Sequence, residues 1–394
     1  MKVLLVSSSI SNRQLDYLYA EKQIPMGFAI QKYYKLMEGG LIDNGVNVDV
    51  LSNLPIPSLY APFKYKKIKS ETVDGVSYHY VPYIKRTAIY HTFLLLYVFF
   101  YVFFWGIKNR KDGVVLCDVL IPCRCIGTIW GAWLAGVRRI GWVTDMPGMV
   151  GENHKKYEEM GLLGKLHMKS IAYFSGFVYI SELSDAILNP QKKPYIVMEG
   201  LVDPMMGEKS PIQKNNTRDI LYAGGLVEMY GLDYLCQAFM KLPYDDIRLV
   251  IYGHGPFSVK LEEYAKIDSR IDFRGQAKND EIVHAEQAAM LLVNPRFTGA
   301  DYTLYSFPSK NIEYMVSGTP MVTTRLEAIP EDYYSYMYSF DEETIDGYYD
   351  TLNELLKKDK SELECLGAEA QQYILKYKNA NVQARRVIDL ANIL

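Results

Sequence analysis

The sequence predicts an α/β protein built from two doubly wound parallel-sheet domains. Three observations carry that reading. Short apolar runs alternate with amphipathic stretches almost from end to end, the pattern of parallel strands with helices on both faces. The alternation occurs twice, and a polar, aperiodic stretch, GEKSPIQKNNTRD at residues 207–219, separates the two series. The chain has 394 residues, more than one domain of roughly 150 would use.

The first series reads as strands at KVLLVSS, VNVDVLS, VSYHYVPYI, GVVLCDV, IGWVTD, GFVYIS and PYIVMEG, with helices at Phe28–Asn44, Cys125–Ala135 and Leu162–Phe174. MKVLLVSSSI is too short in apolar residues for a signal-peptide core and reads as the first strand. The second series has strands at DILYAGG, IRLVIYG, IDFRGQA, MLLVNPR and PMVTT, with helices at Leu232–Leu242, Val259–Ile267, Asp280–Ala288 and Pro308–Ser317. Residues 342–394 read as almost wholly helical. The domains are therefore expected at 1–206 and 207–375, with a terminal helix, 376–394, packing back on the first. Ligands of such sheets gather beyond the carboxyl ends of the strands, here facing an inter-domain cleft.

Composition excludes several classes. Apolar residues make up 49% and charged residues 23%, enough for a sizeable core. With 43 basic and 46 acidic residues the net charge is −3, so a nucleic acid partner is not expected. Five cysteines fit a reducing compartment and no disulfide framework. The charge is uneven, however: nine basic residues face two acids between Tyr60 and Lys111, a local +7. That asymmetry points to an anionic surface partner. No apolar stretch reaches the ~18 to 20 residues that would span a bilayer.

The chemistry concentrates in VNPRFTGADYTLYSFPSKNIEYMVSGTPMVTT, residues 293–324. A strand ends at Asn294–Pro295–Arg296. After a polar loop, Pro308 suits a first helical turn and Ser306 an N-cap. Gly318 and Pro320 end the helix. A helix N-terminus offers free N–H groups to a phosphate. Lys310 and Glu313 share one face, a cation for a diphosphate and a carboxylate for a ribose diol. The competing reading is a solvated surface ion pair. The dinucleotide fingerprint, the Walker loop and the H-E-x-x-H zinc helix are all absent.

SFPSKNIEYMVSGTPMV resembles the signature of the retaining glycosyltransferases of family 4, whose GT-B architecture is two Rossmann-like domains. ILYAGGLVEMYGLDYLCQAF (220–239), LVIYGHGP (249–256), IDFRGQ (271–276) and NPR match in the right order. The resemblance is strong over the C-terminal half. It is looser over the N-terminal half, through VTDMP, VYISE and VMEGLVD. It implies that Glu313 holds the donor ribose and that Gly224 and Gly225 approach the diphosphate. It also implies Gly253 and Gly255 beside the donor, Gly275 and Gln276 near the base, and Ser309 on the donor side. Plain turns are the competing reading for each glycine.

Three positions depart from the family. Its phosphate-binding Arg and Lys, five residues apart, fall on Gly225 and Tyr230, and the first of its paired glutamates falls on Tyr305. Each electrostatic partner missing from a developing diphosphate charge adds roughly 3 to 4 kcal/mol to the barrier. No Asp-x-Asp motif is present to hold a metal. Arg296 and Lys310 are therefore expected to supply the two positive charges, without metal or other cofactor. Tyr305 is left as a hydrogen-bond partner for a sugar hydroxyl.

In the first domain Asp145, just past a strand, reads as a donor contact, an acceptor-side base, or a turn cap. Gly27 is expected on the acceptor side. His254 is a polar neighbour of the donor or a solvated turn histidine. Cys117, Cys123 and Cys125 match no zinc spacing and read as core residues. FLLLYVFFYVFFW, residues 93–105, is either a helix buried all round or an element lying in a membrane interface.

These features lead to an expectation of a hexosyltransferase using a nucleoside-diphosphate donor, UDP above all, and the resemblance implies that it is retaining. Its acceptor would be a glycan or lipid-diphosphate-linked glycan of bacterial surface polysaccharide synthesis. The protein would be cytoplasmic and peripheral on the inner face of the membrane through residues 60–111. A non-catalytic GT-B nucleotide-binding partner protein and a nucleotide-sugar epimerase are the alternatives.

Overall fold

The computed structural model describes residues 1–22, 28–56, 61–85, 87–148, 159–208, 217–299 and 301–394. It divides into unit 1, Met1–Leu201 with Ala380–Leu394, and unit 2, Val202–Asn379.

Unit 1 begins with β1 (Lys2–Ser7), α1 (Asn12–Asp16), α2 (Phe28–Asp43) and β2 (Asn47–Asn53). A small antiparallel excursion follows: β3 (Tyr65–Lys66), β4 (Glu71–Val73), β5 (Val76–Val81) and β6 (Tyr83–Ile84). Next come α3 (Thr87–Lys108), β7 (Gly113–Asp118), α4 (Pro122–Ala135) and β8 (Arg138–Val143). The last elements before the crossing are α5 (Leu162–Ile171), β9 (Gly176–Tyr179), α6 (Asp185–Leu188) and β10 (Tyr195–Val197). Among the described residues the main sheet has the order β10-β9-β8-β7-β1-β2-β5-β4. All its pairs are parallel except β4 with β5.

The reason is legible in β7, where GVVLCD is buried at every position, as a strand covered on both faces must be. Pro122 in the first turn starts α4, and Gly136 at φ +67° stops it. Strand order reverses at β1, which has β2 on one side and β7 on the other. The ends of β1 and β7, Ser7 and Asp118, therefore flank a switch point.

α3 corrects the reading of the apolar block. The helix has 22 residues, not 13, because the chain is free of Asp, Glu, Lys and Arg from Thr87 to Ile107. It is ~33 Å long, and by length and composition Ile89–Lys108 could cross a membrane, contrary to the expectation that no stretch is long enough. Neither is it enclosed. Leu94, Val98, Val102 and Trp105 are buried, but only 28% of the Ile89–Lys108 window is.

Unit 2 comprises β11 (Arg218–Gly225), α7 (Leu232–Met240), β12 (Ile247–His254), α8 (Ser258–Ile267), β13 (Ile271–Gly275) and α9 (Asn279–Ala288). It continues with β14 (Leu291–Asn294), α10 (Ser309–Ser317), β15 (Met321–Thr323), β16 (Tyr338–Ser339), α11 (Ile345–Leu355) and α12 (Lys360–Tyr377). Its sheet, β13-β12-β11-β14-β15-β16, is parallel throughout. The turn Pro204–Glu208 packs on α10 and α12, so the start of the polar 207–219 stretch belongs to this unit.

α13 (Ala380–Ile393) belongs to unit 1 and packs on α2, β9 and β10. Val387, Ile388 and Leu390 enter the same core as Met37, Leu41 and Val50, each burial contributing roughly 1.5–3 kcal/mol. Asn44 and Arg138 donate to the Asn381 and Ala391 carbonyls, both at 2.9 Å.

Candidate active site

The order of unit 2 reverses at β11, between β12 and β14, so its switch point lies beyond the carboxyl ends of β11 and β14. Gly224 and Gly225 close β11 and pair in register with Gly253 and the exposed His254 of β12. Gly253 sits at φ +147°, and a Cβ there would lie 1.9 Å from the Gly224 carbonyl oxygen. No side chain fits where these two backbones touch. Gly255 turns against the Leu226 backbone. Gly275 ends β13 at the far edge of the sheet, two strands from β11, and Gln276 beside it is exposed. Gly275 pairs in register with Tyr252, the residue before Gly253.

Arg296 follows β14. Its guanidinium stands 4.5 Å from the centre of the Tyr230 ring, and the edge of that ring would lie 3.3 Å from a Cβ on Gly225. The two residues at the family's Arg and Lys positions thus meet Arg296 in one cluster. The buried Nε of Arg296 has no hydrogen-bond partner among the described residues. The loop is held from behind: Gly231, at φ +73°, packs on the Pro295 carbonyl oxygen, which also accepts from Tyr348 Oη at 3.0 Å. Gly231 and Tyr348 were not singled out from sequence, although a glycine opening α7 is a signal of a constrained turn.

α10 is seated by a buried polar lock. Asn294 Nδ2 donates to Asn311 Oδ1 at 2.6 Å, and Thr323 Oγ1 donates to the Asn294 carbonyl at 3.0 Å. Tyr314 accepts from the Ala223 N–H at 2.8 Å, tying the helix to β11. The start of α10 differs from expectation: Pro308 is itself the N-cap, with no side-chain cap, and Ser306 does not cap it. Proline carries no side-chain acceptor, so the start of α10 has no side-chain cap. Ser309 is the exposed first residue of the helix and Tyr305 is half-buried before it.

Lys310 and Glu313 meet each other, Nζ to Oε2 at 2.6 Å, each about one-third exposed. Burial works against the ammonium, but Glu313 and Glu286 outweigh it and raise the lysine pKa. Lys310 is thus a cation held within the first turn of the helix.

Asp145, half-buried past β8, has its carboxyl pushed up to about 6 by burial and by the charge of Asp118. Gly27 lies outside the described residues. Sequence reasoning missed the group at the unit 1 switch point. Arg124, 1% exposed, bonds Asp118 Oδ1 at 2.7 Å, Ser8 Oγ at 2.8 Å and Asn53 Oδ1 at 2.8 Å. Tyr34 donates to the other Asp118 oxygen. A lone cation within the apolar run Cys123–Ile129 was the available signal. Cys117, Cys123 and Cys125 are buried free thiols, and among the described residues no group of three His, Cys, Asp or Glu could hold a metal. A cavity of about 600 Å³ involves Lys2, Asp49 and His79. It lies toward the amino ends of β1 and β2, away from the switch point.

Residues 217–358, which contain the whole cluster of unit 2, match the family Glycosyl transferases group 1. No curated protein matches the chain in sequence. Among solved structures, Anabaena Alr3699/HepE in complex with UDP aligns at TM-score 0.64 and 11% identity, covering 100% of both chains. A structure described as trehalose-6-phosphate from E. coli bound with UDP-2-fluoro glucose aligns at 0.68 and 11%, also over 100% of both. The lipopolysaccharide outer core galactosyltransferase WaaB aligns at 0.64 and 14%, over 99% of each. The fold is GT-B. At such identities these likenesses fix the two Rossmann-like α/β units and nothing finer.

Proposed function

We propose that the protein is a glycosyltransferase moving a sugar from a nucleoside-diphosphate donor, UDP above all, to a glycan or lipid-linked glycan acceptor. Two of the neighbours above are described with UDP or a UDP-sugar, and a third as a galactosyltransferase, which supports this choice of donor. The observation that carries the reading is Arg296, with a buried, unpartnered Nε beside Tyr230 at the carboxyl end of the β14 strand.

In transfer, the bond from the anomeric carbon to the phosphate oxygen breaks and a bond to the acceptor oxygen forms. The acceptor proton passes to the departing phosphate, and the acceptor attacks from that same face and so retains configuration. Negative charge grows on the diphosphate. Arg296, the first N–H groups of α10 and Lys310 are the groups assigned to it. Glu313 accepts from the ribose hydroxyls while remaining within reach of Lys310. Surface polysaccharide synthesis in bacteria is the setting that the resemblance favours.

A second reading is nucleotide binding without turnover, favoured by the ion pair that Lys310 and Glu313 already form with each other. A panel of nucleotide sugars, followed by thermal shift and by product formation, separates the two. Stabilisation by UDP-sugars with release of UDP supports transfer. Stabilisation with no product across the panel supports the second reading, and no stabilisation by any nucleotide overturns both.

A further inference from the structure

We propose that α3, α4 and α5 of unit 1 form a docking surface for an anionic phospholipid membrane, lying in the headgroup region without crossing it. The inference does not depend on the transfer chemistry.

Eleven of the 23 exposed large apolar side chains among the described residues lie on these three helices. On α3 the exposed stripe is Ile89, Leu96, Phe100, Phe104 and Ile107, opposite the buried Leu94, Val98 and Val102. α4 adds Trp130, Trp133 and Leu134, and α5 adds Leu162, Leu163 and Leu166.

Glycines make the first two helices one surface. A Cβ on Gly127 would lie 2.7 Å from the Leu95 carbonyl oxygen, and one on Gly131 2.6 Å from that of Phe99. Gly106 meets Ala135 in the same way. This register sets the exposed tryptophans of α4 level with Phe100–Ile107 of α3. α5 packs along α4.

Charge selects the occupant. None of the three helices contains Asp or Glu, whereas Lys108, Lys165 and Lys169 lie on them; after α3 come Arg110, Lys111 and Asp112, a net +1, and Glu159 precedes α5. Arg110 reaches the C-cap of α4, within 3.0 Å of a Cβ built on Gly136. Apolar and aromatic side chains with basic residues and no acids are what an interfacial helix presents to anionic lipid. A crossing is excluded by the packing: α3 would have to expose Gly127 and Gly131 of α4 and withdraw Val98 and Val102 from their burial. Residues 60–111 supply only part of this surface, since α4 and α5 lie outside that range.

The test is co-sedimentation of the full chain with phosphatidylcholine vesicles, with and without phosphatidylglycerol. The wild type should bind, and more tightly with phosphatidylglycerol. The triple variant Phe100→Ser, Phe104→Ser, Trp133→Ser should lose roughly 100-fold or more in affinity. The triple variant Lys108→Glu, Lys111→Glu, Lys169→Glu should lose on the order of 100-fold on phosphatidylglycerol vesicles. These side chains are exposed, so melting temperatures should match the wild type; a variant that melts early is replaced by the corresponding single substitutions. Failure of the wild type to bind either vesicle would overturn the proposal, as would an apolar variant that binds normally. A wild-type dimer that the apolar variant dissolves would assign the surface to a second copy of the chain instead.

Discussion

The Arg296 guanidinium lies over the Tyr230 ring at 4.5 Å from its centre, joining the end of β14 to the turn after β11. A tyrosine in place of the family's lysine therefore does not leave the site without a cation. It supplies a face against which an arginine from the next strand is held, with one N–H still to be satisfied. Replacing Arg296 with alanine should weaken UDP binding by roughly 10- to 100-fold, the worth of a charge-assisted hydrogen bond. Tyr230→Ala should cost less, about 0.5–1 kcal/mol. Calorimetric titration of UDP checks both, and equal affinity in Arg296→Ala would remove the arginine from the site.

Lys310 and Glu313 are close but part-exposed, so their pairing contributes about 0.2–1 kcal/mol to folding. Lys310→Met should thus scarcely move the melting temperature yet slow transfer at least ~100-fold. Loss of stability and of turnover in proportion would mean that the pair is structural.

Gly231→Ala places a side chain at φ +73° and against the Pro295 carbonyl oxygen. The left-handed backbone alone costs about 1–2 kcal/mol, and the clash must move the residue that precedes Arg296. Urea melts should show the destabilisation, and UDP affinity should fall with it. Wild-type affinity in a destabilised Gly231→Ala would show that the turn does not position Arg296.

Asp145 titrates at about 6 because burial and Asp118 disfavour its charge. The raised value means that the folded state holds the proton more tightly than the unfolded one. Its favourable contribution is complete below the unfolded value near 3.8 and is lost as pH rises through about 6. Asp145→Asn should therefore stabilise at pH 8, by at most ~3 kcal/mol, with little gain at pH 3. Denaturant melts at the two pH values decide it: the same gain at both would dissociate the effect from ionisation.

Arg124 and Asp118 are both 1% exposed. Arg124→Met leaves the Asp118 carboxylate buried without its cation and should cost about 3–5 kcal/mol. Asp118→Asn together with Arg124→Met should recover part of that loss, as a double-mutant cycle would measure.

The alternation of strands and helices was legible because a strand covered on both faces must be apolar throughout, as GVVLCD is. Gly318 likewise announced the end of α10. Other features were not local. Arg124 has meaning only through Ser8 and Asn53, far away in the chain but adjacent across β1 and β2. The spacing of Lys310 and Glu313 put them on one face, but whether they turn toward each other is a matter of rotamers and of the charges around them. The apolar periodicity of α3 did not reveal which side is covered, because the answer rests on Gly127 and Gly131 of another helix.

The return of α13 to unit 1 sets an order of events during synthesis. Val387, Ile388 and Leu390 complete a core begun by Val3 and Leu5, so the first-made half of the chain stays unfinished until Val387–Leu390 have left the ribosome. The inserted unit, contiguous from Val202 to Asn379, has all its strands available earlier and can close first.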